Sequence, residues 1–323
     1  MKISAKKYKH LEKLSNKDGV IAALAIDQRG SMRKMVAIDD PEKRDRTIKD
    51  FKKLVSKELT PYSSSILLDP IYGLEAIRTM DKDSGLILAY EVTGYRDAER
   101  LPLLLEQWSV HRLAEKGADG IKILLYYDVD DNDETNEKKK IFVERVGNEC
   151  LGAEVPFFLE IITYDRNIED SKSKEFAKVK PHKVNKAVKE FSKDKYHVDV
   201  LKLEVPVNMA YVEGYGEDPI YTKEEAAQYF KEQSEISSVP FIFLSAGVTA
   251  EMFQKTLCFA KDSGSTFNGV LCGRATWKDG VGEFVEDEKR GKKWLQTQGI
   301  ENIQELNSVL ETTATSWKVK FEC

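Results

Sequence analysis

The sequence predicts an α/β fold: a single (β/α)8 TIM barrel with an N-terminal helix and a C-terminal helical extension. Three observations carry this. Eight short apolar runs recur along the 323 residues, and amphipathic stretches with helix caps lie between them. No Pro/Ser-rich linker or break in composition interrupts the alternation, so residues 1–323 read as one domain. Strand then helix, repeated, builds a parallel sheet covered by helices. An open doubly wound sheet shares that rhythm, but eight units and a length near the ~250 residues of typical barrels favour closure.

The elements follow in order. MKISAKKYKHLEKL opens the chain as a charged amphipathic helix with no apolar signal region and no small-residue cleavage site. The strand runs are IAALAID (21–27), SSILLD (64–69), GLILAYE (85–91), GIKILLYY (120–127), PFFLEIITY (156–164), VDVLKLEVPV (198–207), PFIFLSAG (240–247) and NGVLCGRA (268–275). EKRDRTIKDFKKLVSKEL (42–59) aligns Ile48, Phe51, Leu54 and Val55 on one helical stripe. LPLLLEQWSVHRLAEKG (101–117) reads as a helix ending on glycine, and TKEEAAQYFKEQSEIS (222–237) and TAEMFQKTLCFAKDSG (249–264) start on threonine caps. DDNDETNEKKK (130–140) reads as a solvated loop entering a helix, 165–197 as a charged helical segment, and 285–323 as the helical tail.

Composition narrows the function. Fifty basic against fifty-five acidic residues give a net charge of −5, which suggests neither a nucleic-acid nor an anionic-membrane surface. No apolar run approaches spanning length. Cys150, Cys258, Cys272 and Cys323 form no CxxC pair, so a reducing, cytoplasmic setting is the simplest reading. The four histidines show no HxH or HExxH spacing, so no metal or cofactor site is expected. Oligomeric state is not legible, and outer-helix apolar residues are compatible with a homo-oligomer.

Side chains alternate along a strand, so a barrel strand sends every second residue inward. Lys202 stands in the middle of VDVLKLEVPV, facing in with Val200 and Glu204, while Leu201, Leu203 and Val205 face out. The same count sends Asp27, Lys122 and Glu160 inward, with Ala23 and Ala25, and turns Leu24, Ile26, Ile121, Ile123, Phe157, Leu159 and Ile161 out. In strand seven it sends Ser245 in and Ile242 and Leu244 out. Each polar residue falls late in its strand, at the end where barrels build chemistry. A structural ion pair explains any one of them alone. Two lysines and two carboxylates in one confined space instead point to a task, because buried charges need partners or a purpose.

A dry lysine beside a second cation loses its proton more easily and then adds to a ketone as a Schiff base. The iminium accepts electrons from a neighbouring carbon–carbon bond, and a carboxylate such as Glu160 moves the hydroxyl proton. Asp27 and Lys122 can hold hydroxyls and developing charge. LSAGVTAEM (244–252) and GVLCGRATW (269–277) bring Gly247, Gly273 and Arg274 to the ends of strands seven and eight, a place where barrels bind phosphate. AIDQRGS (25–31) adds Gln28 and Arg29; Arg29 either receives a second phosphate or pairs with a surface carboxylate.

ALAIDQRGS, GIKILLYY, FFLEIITY, VLKLEVPV, FLSAGVT and LCGRATW resemble the matching segments of class I tagatose-1,6-bisphosphate aldolases of the bacterial tagatose-6-phosphate pathway. The resemblance implies a metal-independent lyase of lactose and galactose catabolism. It would cleave D-tagatose 1,6-bisphosphate reversibly to glycerone phosphate and D-glyceraldehyde 3-phosphate, and it would be lax toward epimers such as fructose 1,6-bisphosphate. It implies Lys202 as the Schiff-base lysine and Glu160 as the proton-transfer carboxylate, supported by Asp27 and Lys122. Ser245, Gly247, Gly273 and Arg274 would hold the glycerone phosphate end. The remaining alternatives are a class I aldolase for another ketose, such as sulfofructose phosphate, and a barrel that senses sugar phosphates for a protein partner.

Overall fold

The computed structural model describes residues 3–92 and 99–321; Cys323 lies outside them. Eight parallel strands close into a barrel in strict chain order. They are β1 (Ile21–Ala25), β2 (Ser65–Leu68), β3 (Gly85–Ala89), β4 (Gly120–Tyr127), β5 (Phe157–Thr163), β6 (Val200–Leu203), β7 (Phe241–Phe243) and β8 (Gly269–Cys272). Closure is made by β1 on β8, with Ile21 opposite Gly269 and Leu24 opposite Cys272.

The helices between the strands begin where the sequence supplies caps. α1 (Ala5–Leu14) is followed, between β1 and β2, by α2 (Gly30–Val36) and α3 (Pro41–Leu59). Asp40 caps α3 by accepting from the Glu42 and Lys43 amides, and Ile48, Phe51 and Val55 are buried. α4 is Val110–Glu115, α5 Asp133–Ala153, α6 Lys174–Phe191, α7 Lys223–Ile236 and α8 Ala250–Asp262. Thr222 and Glu225 close a capping box at the start of α7, and Thr249 caps α8. The tail forms α9 (Arg274–Trp277), α10 (Gly280–Glu286), α11 (Glu288–Trp294) and α12 (Ile300–Thr313).

Three expectations need correction. The helix read over 101–117 is only α4: Pro102 and the cap at Ser109 delay it. Leu103 and Leu105 instead pair strand-like with Val92 and Tyr90, at 2.7 and 3.0 Å. In β7, Ile242 faces the barrel interior while Phe241 and Phe243 pack outside. The strand ends at Phe243, so a count anchored at Ser245 has the wrong parity. Finally, the polar run 130–140 is not all solvated. Asp131 is buried, accepting from the Tyr164 hydroxyl at 3.0 Å and from Arg166 at 2.9 Å.

Two apolar layers result. The larger lies between the sheet and the helices. The smaller fills the barrel axis with Ala23, Leu67, Ile87, Phe158, Val200, Ile242 and Leu271, and is floored by Leu11 and Leu14 of α1 and by Trp317 and Phe321 of the tail. Gly120 permits this floor, because a Cβ there would stand 2.9 Å from the Phe158 ring. The charged residues sit on top of that plug.

Candidate active site

Sheet register sets the first contact. Glu160 and Lys202 are direct partners across β5 and β6, so two inward side chains meet at one level. Lys202 Nζ lies 2.8 Å from Glu160 Oε1. Lys122 starts lower, since Leu124 is the residue opposite Glu160, and its long stem climbs to place Nζ 2.7 Å from Glu160 Oε2. One carboxylate therefore bridges two ammonium groups. Lys122 also donates to Asp27 Oδ2 at 2.9 Å and to Glu91 Oε1 at 3.0 Å.

Electrostatics follow from these distances. Burial alone would raise the Glu160 and Asp27 carboxyls; Lys122 and Lys202 outweigh it and hold both below the usual range. Burial works against the charged form of Lys122, yet Asp27, Glu160 and Glu91 more than compensate and push it well up. Lys122 is therefore a fixed cation, and Glu160 a carboxylate that stays ionised in acid.

A cavity of about 610 Å³ opens above this cluster, at the carboxyl ends of the strands. Glu160 and Lys202 line it, with Gln28, Ser245, Gly247, Gly273 and Arg274. Ser245 reaches the cavity from a loop, not by strand alternation. Its carbonyl accepts from Val248 at 3.0 Å across a turn in which Ala246 and Gly247 both have positive φ (49° and 78°). Arg274 packs over Gly247, where a Cβ would stand 3.2 Å from Nη2. Gln28 Nε2 lies equally close to where Gly273 would carry a Cβ, and Gln28 Oε1 is buried without a hydrogen-bond partner. A carboxamide, a hydroxyl, a guanidinium and two glycine backbones thus face one end of the cavity, a donor set suited to phosphate.

Arg29 is placed differently from both readings of the sequence. It is buried and forks onto Glu91, with Nη1 donating to the carbonyl at 2.7 Å and Nη2 to Oε1 at 3.0 Å. It neither lines the cavity nor meets a surface carboxylate. Glu91 was missed, although alternation exposes it: Ile87 and Ala89 face in, so Glu91, the last residue of GLILAYE, also falls inward. The segment before β6 supplies two further cations to the cavity wall, Lys172 and Lys180. Lys180 lies 3.4 Å from Glu204, which also accepts from the Thr163 amide and hydroxyl at 2.7 and 2.8 Å. No short sequence pattern announces these lysines: Lys180 stands on α6, which packs against β5, and Lys172 in the loop before it.

A closed eight-stranded barrel with lysines and carboxylates at its mouth, beside two glycine-containing loops, is an architecture found among aldolases. The family model for DeoC/LacD family aldolases matches residues 21–279. The chain is 58% identical over 325 residues to a protein of Enterococcus faecalis named tagatose 1,6-diphosphate aldolase 2, spanning 99% of this chain and 98% of that one. It is 56% identical over 322 residues to tagatose 1,6-diphosphate aldolase of Staphylococcus epidermidis, spanning 98% and 99%. The chain belongs to the DeoC/LacD family of aldolases. Its fold is shared with a Schiff-base-forming fructose-1,6-bisphosphate aldolase at TM-score 0.57 and 16% identity, over 94% of this chain and 99% of that one. It is also shared with fructose-bisphosphate aldolase of Plasmodium falciparum at TM-score 0.65 and 13% identity, over 100% and 98%.

Proposed function

We propose that this chain is a class I aldolase that reversibly cleaves D-tagatose 1,6-bisphosphate to glycerone phosphate and D-glyceraldehyde 3-phosphate through a Schiff base on Lys202. The observation that carries the reading is Glu160 held between Lys202 and Lys122 at 2.8 and 2.7 Å, with Glu160 and Lys202 in the wall of a cavity of about 610 Å³. The relatives named above, alike over nearly their whole length, support the choice of substrate.

The chemistry runs through residues already in contact. Lys202 passes a proton to Glu160 and attacks the ketone carbon C2 as the free amine. The carbinolamine hydroxyl takes the proton back from Glu160 and leaves as water, giving the iminium. Glu160, again a carboxylate, removes the proton from the C4 hydroxyl. The C3–C4 bond breaks, its electrons pass to the iminium to form an enamine, and the aldehyde departs. Glu160 returns that hydroxyl proton to C3, and hydrolysis of the resulting iminium releases glycerone phosphate and restores Lys202. Lys122, fixed and charged, holds Glu160 in place and keeps positive charge beside it as these protons move.

Gln28, Ser245, Gly247, Gly273 and Arg274 hold the phosphate next to C2. Arg29 is spent on Glu91, so the distal phosphate is assigned to Lys172 and Lys180. Borohydride reduction in the presence of glycerone phosphate, followed by peptide mass spectrometry, tests the mechanism. A reduced adduct on Lys202 is expected. A folded protein that binds glycerone phosphate yet yields no adduct would make the barrel a sugar-phosphate-binding protein instead.

A further inference from the structure

We propose that Glu91, clamped by Arg29, is a positioning residue that fixes Lys122 and through it the geometry and basicity of Glu160. This rests on the aldolase reading above and extends it to a residue outside the substrate cavity.

An ammonium has three N–H donors. Lys122 has three carboxylate partners, Asp27 at 2.9 Å, Glu91 at 3.0 Å and Glu160 at 2.7 Å. Each donor is therefore committed, and the ammonium has one orientation. Of the three carboxylates, Glu160 lines the cavity and carries the proton transfers of the proposed chemistry. Glu91 does not: it is 1% exposed and does not line the cavity. It has its own anchors. Its carbonyl and Oε1 both accept from Arg29, and Leu104 pairs with it in an antiparallel bridge. The flanking residues Tyr90 and Val92 are tied to Leu105 and Leu103. A carboxylate so tightly held and so deeply buried sets the third leg of the Lys122 tripod before substrate arrives.

Charge gives a second consequence. The cluster holds Lys122, Lys202 and Arg29 against Asp27, Glu91 and Glu160. Glu160 is faced by Lys122 and Tyr126 from β4, Lys202 from β6 and Asp27 from beyond β1. Glu91 and Glu160 both lie within 3.0 Å of the same nitrogen. Removing the charge of Glu91 leaves the Lys122 ammonium, 2.7 Å from Glu160, less compensated, which favours the ionised carboxylate and makes it a weaker base. Glu91 therefore keeps Glu160 basic enough to take a hydroxyl proton, while Lys122 keeps it ionised.

Two variants separate the effects. Glu91→Gln keeps the shape and loses the charge. Its kcat for bisphosphate cleavage should fall roughly 10- to 100-fold with KM little changed, and the acid limb of the kcat profile should move down by about one pH unit. Glu91→Asp keeps the charge but shortens the reach; kcat should fall with the acid limb in place. Borohydride should still trap the Lys202 adduct in both. Wild-type kcat in Glu91→Gln, or a kcat loss uniform across pH and matched by lowered thermal stability, would overturn the proposal. Should Glu91→Gln not fold, Arg29→Lys retains the cation without the fork and must show the same kcat loss at constant KM; a normal kcat there refutes the clamp. Absence of any adduct in the wild-type enzyme would instead defeat the Schiff-base reading, independently of Glu91.

Discussion

Replacing Glu160 by Gln isolates proton transfer from Schiff-base formation. In the native site one oxygen faces Lys202 at 2.8 Å and the other faces Lys122 at 2.7 Å. A glutamine has the same outline, but its carbonyl can accept from only one lysine, and its amide then points N–H donors at the other. The variant loses the carboxylate that takes the C4 hydroxyl proton. General acid–base groups contribute roughly 10²- to 10⁴-fold, equivalent to about 3–5 kcal/mol of barrier. Rapid-quench single-turnover cleavage at saturating bisphosphate should slow by that factor. Borohydride trapping in parallel should still mark Lys202, because the amine remains. The pH dependence has a definite sign. Glu160 is held below the ordinary carboxylate range, so the native enzyme keeps its base as pH falls and loses it only below the usual Glu value of ~4.3; the Gln variant has no such limb. Cleavage within about tenfold of the native rate would refute the role given to Glu160.

Two other perturbations probe the anion site and the scaffold. Arg274→Ala should raise KM for the bisphosphate by roughly 10- to 100-fold, the worth of a charge-assisted hydrogen bond, with kcat less affected; an unchanged KM removes Arg274 from the phosphate site. At the barrel's other end, Lys7 pairs with Asp199 at 2.7 Å, and the same Asp199 oxygen accepts from the Phe157 amide at 2.8 Å. Lys7→Met strands a buried carboxylate and should cost about 3–5 kcal/mol in urea melts at pH 7. Burial already raises the Asp199 carboxyl, and losing Lys7 raises it further. A raised acid favours the protonated native state, so the deficit should shrink as pH falls through the raised value toward ~4. A deficit constant across that window would show that Asp199 is not the cause.

Much of this was legible because two periods are rigid. The 2.0 period alone sends Asp27, Lys122, Glu160 and Lys202 inside the barrel, and the sheet register brings Glu160 and Lys202 face to face. It failed where regular structure stopped. β7 is three residues long and yields to a left-handed turn at Ala246 and Gly247, so parity counted through Ser245 inverted Ile242. Arg29 was illegible for a different reason: its partner lies 62 residues away, just beyond β3, and only the folded barrel brings them together. Lys180 is placed by helix packing, which leaves no mark in local sequence.

The floor of the barrel has a kinetic meaning. Leu11, Leu14, Trp317 and Phe321 seal the amino-terminal end beneath Ile87, Phe158 and Ile242. Below Lys122 and Lys202 the described interior is mostly hydrocarbon, with the Ser65 hydroxyl committed to the Leu14 carbonyl, and such a plug does not admit a charged sugar. Among the described residues the reacting groups open toward the carboxyl ends of the strands. Substrate, both triose products and the water that hydrolyses the iminium must share that end, so whichever product lies nearer the opening governs the departure of the other. Segments from the first and last helical stretches contribute to the stopper, and the reacting groups stand at the far end of the barrel.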